Sequence, residues 1–285
     1  MNITNECVKC IIGQIDKATK LLELDESLSK EIMEEVNKRA LNFSFSDTPP
    51  FVAKEVYELL AKKTNLDDPL ESLKQESIKK ATSYLPQVEK KIKDSEDKLF
   101  TAIKTAVAGN VIDFATTKEF CLDEEINTIF ETDFAINDYN IFKNELEKTS
   151  QLIILADNAG ENVFDKVLVK TINQLYPNIE IIYATRGKAI INDITTKEAL
   201  QVGIDKYCKV VSTGVDTPGL EKEQASSEFL QSFENTPLVL SKGMGNFECL
   251  EGYKDKRVFF LFKVKCEVVA KKVSQKLGKI VLKRG

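Results

Sequence analysis

After Ser150, short apolar runs alternate with amphipathic stretches, and no other feature of the sequence limits the fold as tightly. The runs are LIILA (152–156), IEIIYAT (179–185), CKVVST (208–213), PLVLS (237–241), RVFFLF (257–262) and KIVLK (279–283). Runs this uniformly apolar fit strands buried on both faces, as in a parallel sheet. Helical segments expected between them, at 161–175, 195–202, 221–234 and 266–276, would supply the covering layers. With right-handed crossovers, the expected fold is α/β: a Rossmann-like three-layer core with a mainly parallel sheet.

Residues 1–148 follow a different rule. Apolar positions recur at steps of three and four and β-branched alternation is scarce, so this part reads as a helical domain preceding a Rossmann-like domain at 149–285. Pro49 and Pro50, after Asp47 and Thr48, mark a helix start that places Phe51, Val52, Val56, Leu59 and Leu60 on one broad face. Between residues 70 and 95 Lys and Glu dominate, and Leu73, Ile78, Tyr84, Leu85, Val88 and Ile92 form a thin apolar stripe. Pro86 marks a kink or break there, and the charge reads as a solvated helix face.

Composition narrows the chemistry. The chain has no histidine, which removes Ser-His-Asp and Cys-His triads, His-ligated zinc and imidazole bases. With 40 basic and 45 acidic side chains the formal charge is −5, which argues against a general nucleic-acid binder. No apolar run approaches the roughly 18 residues of a membrane span, and MNITNECVKC lacks a signal-peptide pattern. The six cysteines are too sparse for a disulfide framework, so reduced thiols and a cytoplasmic location are expected.

In an open parallel sheet ligands collect beyond the carboxyl ends of the strands, and the residues there are strongly polar. The first run ends in ADNAGEN, with Asp157 and Asn158; the second in ATRGKAIIND, with Arg186, Asn192 and Asp193. The fourth leads into SKGMGNFE, with Lys242, Gly243, Gly245, Asn246 and Glu248, and the fifth into KVKCE, with Lys263, Lys265 and Glu267. Each acid or amide alone would serve as a helix cap, but capping does not call for such residues on four adjacent tips. The two carboxylates and the amide oxygen of Asp157, Asn158 and Asp193 suit a hard divalent ion whose remaining positions are filled by water. Arg186, Lys242 and Lys265 add positive charge, so the constellation suits a phosphate ester.

Other motifs leave alternatives open. Asn110 and Asp113 in AVAGNVIDF mark either a helix break or a far wall of the cleft that touches substrate. Cys7 and Cys10 share a helix face, which fits packing, a redox pair, or a metal site completed by Cys121, Cys208, Cys249 or Cys266. The loop GVDTPGLEKEQ (214–224), with Asp216 and Glu221, is an ordinary turn or a gate over the substrate. Dinucleotide-binding, Walker A and D-x-D signatures are absent.

In order along the chain, CVKC, GNVID, DNAGE, RGKAIIND, KGMGNFE and KVKCE resemble the motifs of the family filed as domain of unknown function 89. The family is described as metal-dependent damage-control phosphatases, and the match is to its CxxC-bearing prokaryotic subfamily. The resemblance implies a helical domain on a Rossmann-like core and a divalent ion (Mg, Mn, Co or Ni) held by Asp157, Asn158 and Asp193. It implies substrate contacts at Asn110, Asp113, Arg186, Lys242, Asn246 and Lys265, and small phosphorylated metabolites such as sugar phosphates as substrates. Hydrolysis would proceed by in-line attack of water oriented or deprotonated by Asp157 or Asp193, with Lys242 and Lys265 neutralising developing charge. The likeness is looser at Phe262, Lys263 and Val264, where the family has an Arg-Thr pair, and at Lys188 and Ala189, where proline is common. The alternatives are an S-adenosylmethionine-dependent carboxyl methyltransferase, which wants a glycine-rich first loop and an acid after the second strand, and a non-catalytic phosphoester-binding protein.

Overall fold

In the computed structural model, residues 1–108 and 130–285 are described. Six helices come first: α1 (Asn5–Leu21), α2 (Glu26–Ala40), α3 (Pro49–Thr64), α4 (Glu71–Ser83), α5 (Leu85–Asp94) and α6 (Lys98–Ala108). Strand β1 (Phe134–Asn137) and α7 (Tyr139–Leu146) follow. The chain then alternates β2 (Gln151–Leu155), α8 (Glu161–Leu175), β3 (Glu180–Thr185), α9 (Thr196–Val202), β4 (Lys209–Ser212) and α10 (Ser227–Asn235). It ends with β5 (Leu238–Lys242), α11 (Met244–Leu250), β6 (Val258–Lys263), α12 (Glu267–Val273) and β7 (Ile280–Arg284).

One sheet holds the strands in the order β1-β7-β6-β5-β2-β3-β4, and the four central pairings from β6 to β4 are all parallel, whereas β7 runs antiparallel to β6. All six apolar runs are therefore strands of an α/β fold. Successive residues face opposite layers, as the period of two requires. Leu152 and Ile154 join the core beneath α4 to α8, while Ile153 and Leu155 join the core beneath α10 to α12.

The sequence reading differs from the structure at three places. The sheet takes β1 from before residue 149: FAIN pairs in parallel with β7, so the expected division at 148/149 does not coincide with membership of the sheet. The helix expected over 221–234 is split into a single 3-10 turn (Lys222–Gln224) and α10, which starts at the cap Ser226. Lys74, read as part of a solvated face, is fully buried between Asp68 at 2.7 Å and Glu198 at 3.8 Å.

Helices α1, α2 and α3 enclose their own apolar cluster, around Ile15, Ile32, Val36, Val56 and Leu60. Thr48 caps α3, its Oγ1 accepting from Phe51 N at 3.2 Å, and its hydroxyl also donates to Glu221. Lys54, one turn further on, pairs with Asp216 at 2.7 Å. Loop 214–224 thus ties α3 to the sheet, and α1 is brought to the strand tips. No described helix is long and apolar enough to cross a membrane.

Candidate active site

From β2 the chain proceeds to β3 and β4 on one side and then returns to β5, β6 and β7 on the other, so the crevice of the fold lies between β2 and β5. Asp157 follows β2, and Gly243 follows β5. A Cβ on Gly243 would fall 2.1 Å from the Asp157 carboxylate, and φ there is +82°, so only glycine fits. At Gly245 a Cβ would fall 1.6 Å from the Pro218 carbonyl, which explains the second glycine of KGMG.

The segment after β3 folds back across the tip of β2. Arg186 N donates to Ile194 O at 3.0 Å, Ile194 N to Asp157 O at 2.9 Å, and Ala159 N to Asn192 O at 2.8 Å. Asn158 and Asp193 pair as an antiparallel bridge. Three donors from two turns consequently share the wall of a cavity of about 290 Å³. Lys265, exposed just after β6, lines it too, with Glu248 of α11 and Glu267 of α12.

Arg186, Lys242 and Asn246 stand behind that wall, fully buried and absent from the cavity lining. Arg186 Nε donates to Asp193 Oδ2 at 2.7 Å and its Nη1 to Asn246 Oδ1 at 3.1 Å, while its Nη2 lies 3.9 Å from Asp157 Oδ1. Asn246 spends its amide on the carbonyls of Ala156 (3.0 Å) and Lys242 (2.7 Å). Lys242 lies 2.9 Å from Glu161 Oε2 and 2.6 Å from Asp165 Oδ1, and Tyr183 donates its hydroxyl to Asp165 Oδ2 at 2.7 Å. Arg186, Lys242 and Asn246, expected as substrate contacts, are here bonded to protein groups, as buried cations need buried partners.

Burial drives the electrostatics. It raises Asp157 well above the usual carboxylate range, and Glu161 and Asp193 add to the shift. Burial also raises Asp193, against the pull of Arg186. Asp165 is pushed up to about 6 by burial, held back by Lys242. Burial depresses Lys242, but Asp165 and Glu161 outweigh it and hold the ammonium above its ordinary range. Burial pushes Glu248 up to about 7.

The donor set suits a divalent ion. Asp157 and Asp193 are buried carboxylates, Asp193 and Glu161 raise Asp157, and among the described residues only Arg186 forms ion pairs with both. Asn158 donates its amide to Asp157 Oδ2 (2.7 Å) and Glu161 Oε1 (2.9 Å), which leaves its carbonyl oxygen to accept. Among the described residues no three carboxylates and thiols converge on one point, so water would complete the coordination.

Sequence reasoning overlooked Glu161 and Asp165. Their spacing of four residues puts both acids on one face of α8, among Val163, Phe164, Val167 and Leu168, and two acids within such an apolar stretch were the available signal. Cys7 and Cys10 line the same cavity as Asp157, and Cys266 joins them; Cys208 and Cys249 lie elsewhere in the fold. Asp216 and Glu221 of loop 214–224 hold α3 in place and do not line this cavity. Asn110, Asp113 and Cys121 lie outside the described residues.

A doubly wound α/β protein with an oxygen-rich cavity at its switch point is the class that fold and site define. Residues 3–281 match the damage-control phosphatase ARMT1-like domain, and the chain belongs to that family. It is 30% identical to damage-control phosphatase PH1575 of Pyrococcus horikoshii, over 100% of this chain and 98% of that one. It is 28% identical to a damage-control phosphatase of Archaeoglobus fulgidus, over 99% of each chain. A further relative is the uncharacterized protein MJ0202 of Methanocaldococcus jannaschii, 32% identical over 100% of this chain and 96% of its own. The crystal structure of the Pyrococcus horikoshii protein, a DUF89 family member, superposes with a TM-score of 0.92, covering 100% of this chain and 99% of that chain at 28% identity.

Proposed function

We propose that the chain is a divalent-metal-dependent phosphatase that hydrolyses small phosphorylated metabolites, sugar phosphates among them. The observation that carries this is the pair of buried, under-neutralised carboxylates Asp157 and Asp193 at the switch point, beside Lys265. The relatives named damage-control phosphatases support it. An acid at the tip of β3, which an adenosylmethionine site would use to hold ribose, is replaced by Thr185 and the committed Arg186.

Asp157, Asp193 and the Asn158 carbonyl oxygen would hold Mg²⁺, Mn²⁺, Co²⁺ or Ni²⁺. Such an ion, when bound, polarises phosphoryl oxygens and lowers the pKa of a water. Lys265 offers its ammonium to the phosphate. Asp193, fixed by Arg186, orients the attacking water and accepts its proton. Lys242 acts through Glu161, which holds the Asn158 amide and so turns its carbonyl outward; it is a positioning residue.

The test is phosphate release from a panel of phosphomonoesters by chelator-stripped protein to which each ion is returned. Release should require the ion, and Asp157→Ala or Asp193→Ala should lower it by about a hundredfold or more. An ion at a hundred times its Kd should also stabilise the wild-type fold by about 2.7 kcal/mol in thermal unfolding. Release that persists after stripping, or survives Asp157→Ala, would overturn the reading.

A further inference from the structure

The charges lining the cavity are lopsided. Among the described residues, Glu6, Asp157, Asp193, Glu248 and Glu267 share the lining with a single basic side chain, Lys265, which pulls on Asp157, while the N-terminal ammonium acts on Glu248. The other cations at the strand tips are committed, Arg186 to Asp193 and Lys242 to Glu161 and Asp165. Lys9 and Lys271 lie near Glu6 but do not line the cavity. Hydrogen bonds from its own helix start and from Thr4 hold Glu6 below the usual range, so it is charged at neutral pH.

The rest of the wall is mostly uncharged: Ile11, Pro49, Pro50, Ala53, Met244 and Val268 are apolar, Gln14 and Asn192 add amides, and among the described residues no Phe or Tyr lines it. Its volume of about 290 Å³ lies at the lower edge of the roughly 300–1,000 Å³ usual for small-molecule sites.

We infer that the cavity selects phosphomonoesters whose organic part is small, neutral or cationic, and carries neither a second phosphate nor a nucleobase. This rests on the phosphatase reading and narrows it. One phosphate finds Lys265 and the ion held by Asp157 and Asp193. A second anionic group would face Glu6 and Glu267 with no further basic side chain in the lining among the described residues, and like charges brought together lose affinity. A nucleobase would find no ring to stack on among the described residues of the lining.

The experiment compares glucose 6-phosphate and O-phosphoethanolamine with fructose 1,6-bisphosphate, 3-phosphoglycerate and AMP, using protein loaded with the ion that best supports release. The first two should exceed the other three in kcat/KM by about tenfold, the worth of roughly two rim charges. The double variant Glu6→Lys/Glu267→Lys should raise the ratio of bisphosphate to glucose 6-phosphate by about the same factor, and Glu6→Gln/Glu267→Gln should fall between. Thermal unfolding checks that both variants fold. The same esters are also ranked by the Tm shift they give the ion-loaded wild type, so the inference is decided even if nothing is hydrolysed. A preference for the bisphosphate or AMP, or a ratio unmoved by both variants, overturns the inference and leaves the phosphatase reading standing. Absence of release from every ester overturns that reading, while the binding order still decides the inference.

Discussion

Two groups of buried charge stand back to back at the tips of β2, β3 and β5, built from similar residues but balanced differently. In the inner group both carboxylates, Glu161 and Asp165, touch the Lys242 ammonium, and Tyr183 adds a hydrogen bond. In the outer group Arg186 is close to Asp193 at 2.7 Å but 3.9 Å from Asp157, whose nearest donor is the neutral amide of Asn158. A buried ion group in which every charge has a partner acts as a strut. One that is short of positive charge at a cavity wall keeps a demand that a ligand can meet. The difference separates the residues that hold the site from those that would carry its chemistry.

Removing the central cation of the inner group is the harshest way to break this contrast. Lys242→Met leaves Glu161 and Asp165 buried without a counter-ion, at a cost of about 3–5 kcal/mol. Thermal unfolding in chelator should then show a Tm lower by on the order of 10 °C. A loss below about 1 kcal/mol would show that Lys242 is no strut.

The outer group should respond with the opposite sign. Asp157→Asn keeps the shape and removes an under-paired buried charge, so the ion-free protein should gain about 1–2 kcal/mol. The stabilisation by added Mg²⁺ or Mn²⁺ should shrink at the same time. Titrating each ion against Tm reads both effects, and a destabilised ion-free variant would mean that Asp157 is already well satisfied.

The same division marks what was legible in the sequence. Central strands buried on both faces announce themselves as apolar runs, and Asp157, Asn158, Asp193 and Lys265 announce themselves as polar residues at strand tips. Strand β1 does not: FAIN is four residues long, only Phe134 in it is buried, and its partner β7 begins at Ile280. Lys74 reads as solvent-facing because one of its two counter-ions, Glu198, arrives from the far half of the chain. Lys242 reads as a substrate contact because it precedes a glycine loop. In the fold it is the last residue of β5, a strand buried along its whole length, and turns toward the acids of α8. Nor does spacing within CVKC reveal that α1 lies against the cavity of Asp157, since that depends on packing contacts such as Thr48 with Glu221. Position along a strand was readable; the direction of a buried side chain, set by partners distant in sequence, was not.

The mildest test sharpens the contrast within the inner group. Burial pushes Asp165 up to about 6, whereas an unfolded aspartate titrates near 3.9. A carboxyl raised on folding contributes stability that is present below its unfolded value and is lost as pH rises toward its folded one. At pH 8 the inner group therefore holds Asp165 as a carboxylate, and the Tyr183 hydroxyl donates to a charge. At pH 5 the same hydroxyl faces a protonated acid. Tyr183→Phe should accordingly cost about 1–2 kcal/mol at pH 8 and clearly less at pH 5, since hydrogen bonds to charged groups are the stronger ones. Without the hydroxyl, which lowers Asp165, the variant's own loss of stability with rising pH should extend above 6. Thermal unfolding of both proteins at the two pH values in chelator measures this. An equal cost at both would mean that Asp165 does not titrate between them and that the inner group is ionised throughout.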